Sequence, residues 1–235
     1  LRGIRTDRVC SARACSTVWR IHQTAYEMNL TPLSGSNFLT AFSNPSSRGI
    51  IAMKLPDEDE LIAAQLITDK ENVVLGTHKG LSIRFNNADV RQMGRNAYGV
   101  IGIRLMRDDY VVGMIAADEE GMILSVTERG FGKRTKIAAY RTQSRGGKGI
   151  INVKTTKRNG RVVSIMQVTD DSGLMVITEQ GKLIRVKASG IRKVGRSSQG
   201  VKLIAIPAED RVSAATLVEG EKVEDLPLEP GETIH

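Results

Sequence analysis

The chain has 235 residues, of which 40% are apolar and 26% charged, an ordinary balance for a soluble globular protein with one large or two small domains. Aromatic residues make up only 4%, which argues against an aromatic-caged ligand pocket or a base-stacking single-strand binder. With 34 Lys and Arg against 26 Asp and Glu, the formal charge is +8, which favours a polyanionic partner. No apolar run approaches the ~18 residues of a membrane span, and no apolar stretch follows the first basic residues, so the expected location is cytoplasmic, away from any membrane. Cys10 and Cys15 are too close together to staple a fold of this size, which agrees with a reducing compartment.

In chain order, residues 1–40 carry five arginines and two acids and show no strand pattern, so they are read as an atypical segment of uncertain order. Ala41 to Glu58 reads as the end of a repeated unit, because Gly49-Ile50 stands 50 residues before Gly99-Val100. Three complete units follow, at 59–108, 109–160 and 161–210, and together they give residues 41–220 a net charge of +9. The last fifteen residues, 221–235, hold five acids and Lys222. This acidic tail is either a solvated terminus or a segment that competes with a polyanion for the basic body.

The repeat is the most informative feature. Thr77-His78-Lys79-Gly80, Thr127-Glu128-Arg129-Gly130 and Thr178-Glu179-Gln180-Gly181 recur at spacings of 50 and 51, and Gly99, Gly149 and Gly200 stand nineteen residues after each glycine. Apolar runs begin at Leu61, Val111, Val162 and Val212, each behind turn residues such as Asp108-Asp109 or Glu209-Asp210. Within the first unit the expected strands are Leu61 to Ile67, Val73 to Thr77, Leu81 to Phe85 and Val100 to Leu105. Four short strands per ~50 residues predict an all-β, propeller-like array of four-stranded blades.

Arginine keeps the register. Counted from the Thr-x-x-Gly glycine, position +4 is Arg84, Arg134 and Arg185, position +11 is Arg91, Arg141 and Arg192, and position +15 is Arg95, Arg145 and Arg196. On blades related by a near-constant rotation, these nine guanidinium groups form a basic belt suited to phosphate oxygens. The competing reading is that each arginine braces its own blade, most of all at +4, which falls inside a strand. No acid is seen at a fixed loop register to partner all nine. The loop from +11 to +19 adds Lys148 and the glycines Gly94, Gly146, Gly147, Gly149 and Gly195, whose backbone N–H groups could approach an anion closely.

From Ala41 to about Glu219 the chain resembles the carboxyl-terminal domain of the A subunit of DNA gyrase. The text that carries the resemblance includes Asp59-Glu60-Leu61-Ile62, Val90-Arg91-Gln92-Met93-Gly94-Arg95, Gly99-Val100-Ile101-Gly102-Ile103-Arg104-Leu105, Gly132-Lys133-Arg134-Thr135 and Val194-Gly195-Arg196. The resemblance implies a β-pinwheel whose blades exchange strands, and duplex-DNA wrapping within a type IIA topoisomerase. Its implied partners are DNA, the gyrase B subunit and the remainder of the gyrase A subunit, in support of ATP-dependent negative supercoiling. The nearest alternative is the corresponding domain of topoisomerase IV. Gln143-Ser144-Arg145-Gly146-Gly147-Lys148-Gly149 resembles the family's first-blade box but sits in a later blade, so it is a box-like loop.

Enzyme chemistry is not expected of this stretch, and no cofactor or metal is expected. Tyr26, Tyr98, Tyr110 and Tyr140 lack the context of a DNA-cleaving tyrosine. Cys10, Cys15 and His22 lack a fourth ligand at zinc spacing, His78 and His235 lack a nucleophile or base, and no Walker-type loop occurs. Asp57-Glu58-Asp59-Glu60 reads as a solvated turn. If about two thirds of the belt each neutralise a phosphate, log K against log salt should have a slope near −5, with slight sequence preference. The alternative class is a protein-interaction platform, which the scarcity of Trp and Tyr in the repeats disfavours. RNA is a weaker third reading.

Overall fold

A computed structural model describes residues 61–68, 71–90 and 99–218, together with the backbone of 16–23 and 27–34. Among the described residues there are fifteen strands: β1 (Ser16–Gln23), β2 (Glu27–Ser34), β3 (Leu61–Thr68), β4 (Asn72–Thr77), β5 (Leu81–Asn86), β6 (Val100–Arg104), β7 (Val111–Ala117), β8 (Met122–Thr127), β9 (Phe131–Lys136), β10 (Ile150–Ile151), β11 (Val162–Val168), β12 (Gly173–Thr178), β13 (Leu183–Lys187), β14 (Val201–Lys202) and β15 (Val212–Val218). Helical geometry among the described residues is limited to three 3-10 turns, at Asn87–Asp89, Ile137–Ala139 and Ala188–Gly190. The all-β, bladed expectation holds, and the strands expected in the first unit fall within a residue or two of β3 to β6.

The sheets exchange strands. Their orders are β3-β1-β2-β6, β10-β5-β4-β7, β11-β8-β9-β14 and, among the described residues, β13-β12-β15. A hairpin such as β4–β5 supplies the two central strands, and the first and last strands of the following unit, β7 and β10, flank it. The next sheet repeats the scheme with β8–β9 between β11 and β14. Every named pairing is antiparallel, and the register slips at the same place where β4, β8 and β12 pair with β7, β11 and β15, between Gly76 and Thr77, Val162 and Ser164, and Ile177 and Thr178. Residues 1–40, where no strand pattern is legible, supply the β1–β2 hairpin of the first sheet, pairing Thr17 with Ser34 and Ile21 with Leu30. Ala41 to Glu58, Cys10, Cys15, Tyr26, Gly94, Arg91, Arg95 and the 221–235 tail lie outside the described residues.

The cores lie between successive sheets. In β4 the alternation of the strand sends Val73 and Leu75 into the core shared with the first sheet, and Val74 into the core shared with the third. That is why β4 and β8 read as continuous apolar runs instead of alternating ones. The first core gathers Ile67, Ile83, Phe85 and Ile103, the second Ile115, Ile123, Ile137 and Ile165, and the third Leu124, Val126, Leu174 and Val176. Each fully buried side chain of this size contributes about 1.5–3 kcal/mol. Backbone N–H groups also anchor the turns: the Lys79 N–H donates to the Asp109 carboxylate at the start of the next unit at 2.8 Å, and the Gln180 N–H to that of Asp210 at the end of its own unit at 3.2 Å.

Candidate nucleic-acid interface

The loop from +11 to +19 leaves its own blade and docks along the outer strand of the preceding one. The Gln143 N–H donates to the Arg84 carbonyl of β5 at 2.7 Å, and the Val194 N–H to the Arg134 carbonyl of β9 at 2.9 Å. Farther on, the Arg104 N–H of β6 donates to the Gly147 carbonyl at 2.9 Å, and the Lys154 N–H to the Ser198 carbonyl at 3.1 Å. Among the described residues two such straps, the middle strap of unit 109–160 and the third strap of unit 161–210, therefore run along the outer edge of the sheets in the same register.

The three arginine sets have different fates on this scaffold. Arg84 and Arg134 are 6% and 3% exposed. Arg84 donates to the carbonyls of Ile137 and Tyr140, at 3.3 and 3.2 Å, and to the Glu119 carboxylate. Arg134 donates to the carbonyls of Ile191 and Ser189, at 2.8 and 3.0 Å, and to the Asp170 carboxylate. Each thus holds the 3-10 turn and an acid of the next unit. Burial lowers the pKa of Arg84, and the Arg134 and Lys193 hydrogen bonds hold the Asp170 carboxyl below its ordinary value. These two arginines, expected on the rim, are interior struts, and the bracing alternative is the right one for them. Arg185, the third +4 residue, is exposed and has no ion pair among the described residues.

At +11, Arg141 and Arg192 are exposed, and neither guanidinium has a hydrogen bond or ion pair among the described residues. Each stands just past its unit's 3-10 turn, where the strap reaches the neighbouring blade. Lys148 is exposed in the middle strap. At +15 the roles are mixed. Arg145 donates to the Ile101 carbonyl at 2.6 Å and the Asp89 carbonyl at 3.4 Å, and Arg196 to the Ile151 carbonyl at 2.8 Å. Both are half-buried, and a guanidinium with five donors keeps some of them for solvent or a ligand.

The strap glycines serve close approach first. Gly149 has φ +75°, and a Cβ there would lie 2.6 Å from the Ser82 carbonyl oxygen; Gly200 repeats this with φ +82° and 2.7 Å to Gly132. Gly146 spends its N–H on the Gly102 carbonyl at 2.8 Å, so that amide is closed to an anion. Gly147 packs over Ile83, and Gly195 lends its carbonyl to Lys133.

Lys133 carries no functional assignment in the sequence, yet its side chain is fully buried. Its ammonium donates to the carbonyls of Asn152 at 2.6 Å, Gly195 at 2.8 Å and Arg196. Burial, with the Arg196 charge adding to it, pushes the amine down to about 7. Beneath it the Tyr140 hydroxyl donates to the Asn152 side-chain carbonyl at 2.6 Å, and burial raises that phenol to about 12. Asn152 in turn donates to the Ser125 hydroxyl at 3.0 Å. Both this cluster and the acids had a signal in the repeat. Eleven residues before each Thr-x-x-Gly glycine stand Asp69, Glu119 and Asp170, so an acid does recur at a fixed register. At the positions of Ser125, Lys133, Tyr140 and Asn152, the first unit has Leu75, Ile83, Val90 and Gly102, and the third has Val176, Ile184, Ile191 and Leu203.

The family model for the DNA gyrase C-terminal domain, described as a beta-propeller, matches residues 39–68, 71–118, 121–169 and 174–219. The DNA gyrase A subunit of Salmonella typhimurium is 46% identical over 191 residues, covering 81% of this chain and 22% of the relative. That of Klebsiella oxytoca is 45% identical over 188 residues, covering 80% and 21%. The chain therefore spans about a fifth of the length of these curated relatives. A solved DNA gyrase A C-terminal domain superposes with a TM-score of 0.74 at 24% identity, covering 88% of this chain and 67% of that one. The C-terminal domain of DNA topoisomerase IV gives 0.77 at 21%, covering 89% and 64%, so both structures speak for the fold alone. The strand-exchanging sheets, the straps in fixed register and the matched segments place this chain in the family of DNA gyrase A C-terminal domains.

Proposed function

We propose that this domain binds duplex DNA through phosphates and bends it around the outer edge of its blades, as the wrapping element of a DNA gyrase. The observation that carries the reading is the pair Arg141 and Arg192, one per strap, exposed and without a partner among the described residues. Lys148 and Arg185 extend this charged edge, and the free donors of Arg145 and Arg196 line it. Arg91 and Arg95 stand at the equivalent sequence register of the preceding unit. Because blades repeat, such cations meet a curved backbone at regular intervals. A spread of contacts is what bending needs, since curving a site of 20–30 base pairs costs on the order of 1–6 kcal/mol. Phosphate contacts position DNA without reading it, so binding is expected to be nearly independent of sequence.

In the longer protein this wrap would present a DNA segment to the cleavage gate during ATP-driven supercoiling in the cytoplasm. The gyrase B subunit would act there together with the remainder of the gyrase A polypeptide. The isolated domain would bind and bend without cutting. The test is energy transfer between dyes at the two ends of a duplex as the full chain is added. Ends that approach one another support wrapping; tight binding with ends unmoved contradicts it.

A further inference from the structure

The two straps differ at one peptide. In the middle strap, Gly146 has φ +75° and turns its N–H inward to the Gly102 carbonyl at 2.8 Å. The third strap has Ser197 at the same register, without a positive φ, and Asn152 at the register of Gly102. There the Asn152 carbonyl is occupied by the Lys133 ammonium at 2.6 Å, and the same ammonium takes the carbonyls of Gly195 and Arg196. A trans peptide directs its N–H opposite to its C=O, and no cis peptide occurs among the described residues. With both carbonyls drawn inward, the N–H groups of Arg196 and Ser197 point away from the core. Neither donates a hydrogen bond among the described residues, and Ser197 is exposed.

We infer that Lys133 holds the third strap in a flipped form that offers the Arg196 and Ser197 amides as a seat for one phosphate group, a site the middle strap does not form. Successive N–H groups turned to one side make an anion-binding concavity. An exposed charge stands four residues earlier in the same strap, Arg192, while Arg196 itself reaches back to the Ile151 carbonyl. The ammonium never meets the anion; it is a positioning residue that acts through two peptide planes. Ile83 and Ile184, at its register in the other units, have no such donor. The inference rests on the phosphate-binding reading of the rim and adds one defined site to it.

The experiment follows the backbone amides of the 15N-labelled full chain during titration with inorganic phosphate, then with a short duplex. The wild type should show the Arg196 and Ser197 amides moving in both titrations, with the Gly146 amide still. Lys133→Ile, which restores the residue type of the other units, should abolish those shifts and weaken duplex binding about 3- to 10-fold, the net worth of one hydrogen bond. Ser197→Pro deletes one donor at an exposed position with the buried amine intact, and should weaken the duplex similarly. It decides the matter if Lys133→Ile does not fold. Shifts retained in Lys133→Ile, or a Ser197→Pro variant that binds duplex as the wild type does, overturn the seat. Phosphate shifts at these two amides without duplex binding uphold the seat and overturn the DNA reading. Duplex binding with both amides still overturns the seat alone.

Discussion

Arg134 donates to the carboxylate of Asp170 in the following unit, and Arg84 repeats the contact with Glu119. The two pairs share one register, a guanidinium four residues after a turn glycine and an acid eleven residues before the next. In both cases the guanidinium also collects two carbonyls from the following 3-10 turn, so one side chain fixes the angle between successive units. Repetition of arginine here records the joint between blades, whereas at +11 it records the outer surface.

Removing a strut should therefore cost stability instead of ligand contacts. Arg134→Ala leaves the Ser189 and Ile191 carbonyls without their donor and is expected to destabilise the domain by about 2–4 kcal/mol, as charge-assisted hydrogen bonds in a buried site do. Urea unfolding measures this. A midpoint unchanged from wild type would show that the turn finds other partners.

The strap glycines make a second stability prediction. Gly149→Ala places a Cβ 2.6 Å from the Ser82 carbonyl oxygen at a φ of +75°, so the β10–β5 pairing must shift. A loss of about 1–3 kcal/mol is expected, against near-neutrality for substitution at Gly195, where nothing lies within 4 Å. Thermal melts of the two variants side by side separate these outcomes.

The buried Lys133 makes stability depend on pH. Its folded value is lowered to about 7 from an ordinary 10.5. Between those values the unfolded chain binds more protons than the folded one, so this amine makes stability rise as pH increases through the window from about 7 to 10.5. Below pH 7 the full cost of burying the charge is present. The groups that face it are the Arg196 guanidinium and the Tyr140 phenol, which burial raises to about 12 and so keeps neutral across the lower part of that window. Unfolding free energies at pH 7 and pH 9 should differ in the wild type and converge in Lys133→Ile. Equal values in the wild type would contradict the buried, depressed amine.

Most of the fold was legible because a repeat multiplies weak signals. One apolar run such as Val73 to Thr77 is ambiguous, but four starts at a spacing of 50 or 51 define strands and units together. The β1–β2 hairpin was illegible because Ser16–Gln23 and Glu27–Ser34 share neither the turn motif nor the spacing of the later units. In the candidate site, the register singled out a set of arginines but could not say which way they face. Arg134 lies in β9 beside Lys133, and adjacent residues of a strand point to opposite faces; here both faces are buried. The recurring acids were missed because Glu119 and Asp170 belong to the unit after their partners. Lys133 was missed because it breaks the repeat instead of keeping it.

The central claim, that Arg141 and Arg192 at +11 meet DNA phosphates while Arg84 and Arg134 at +4 hold the blades together, is tested most directly by duplex affinity across a salt series. Three chains are needed: the wild type, Arg141→Ala with Arg192→Ala, and Arg134→Ala under conditions where it stays folded. Each neutralised phosphate contributes about 0.9 to the slope of log K against log salt, so the double variant should lose nearly 2 from that slope with its unfolding midpoint unmoved. Arg134→Ala should keep the wild-type slope. A double variant with an unchanged slope, or a strut variant that lowers it by about 1 while stability holds, would contradict this assignment.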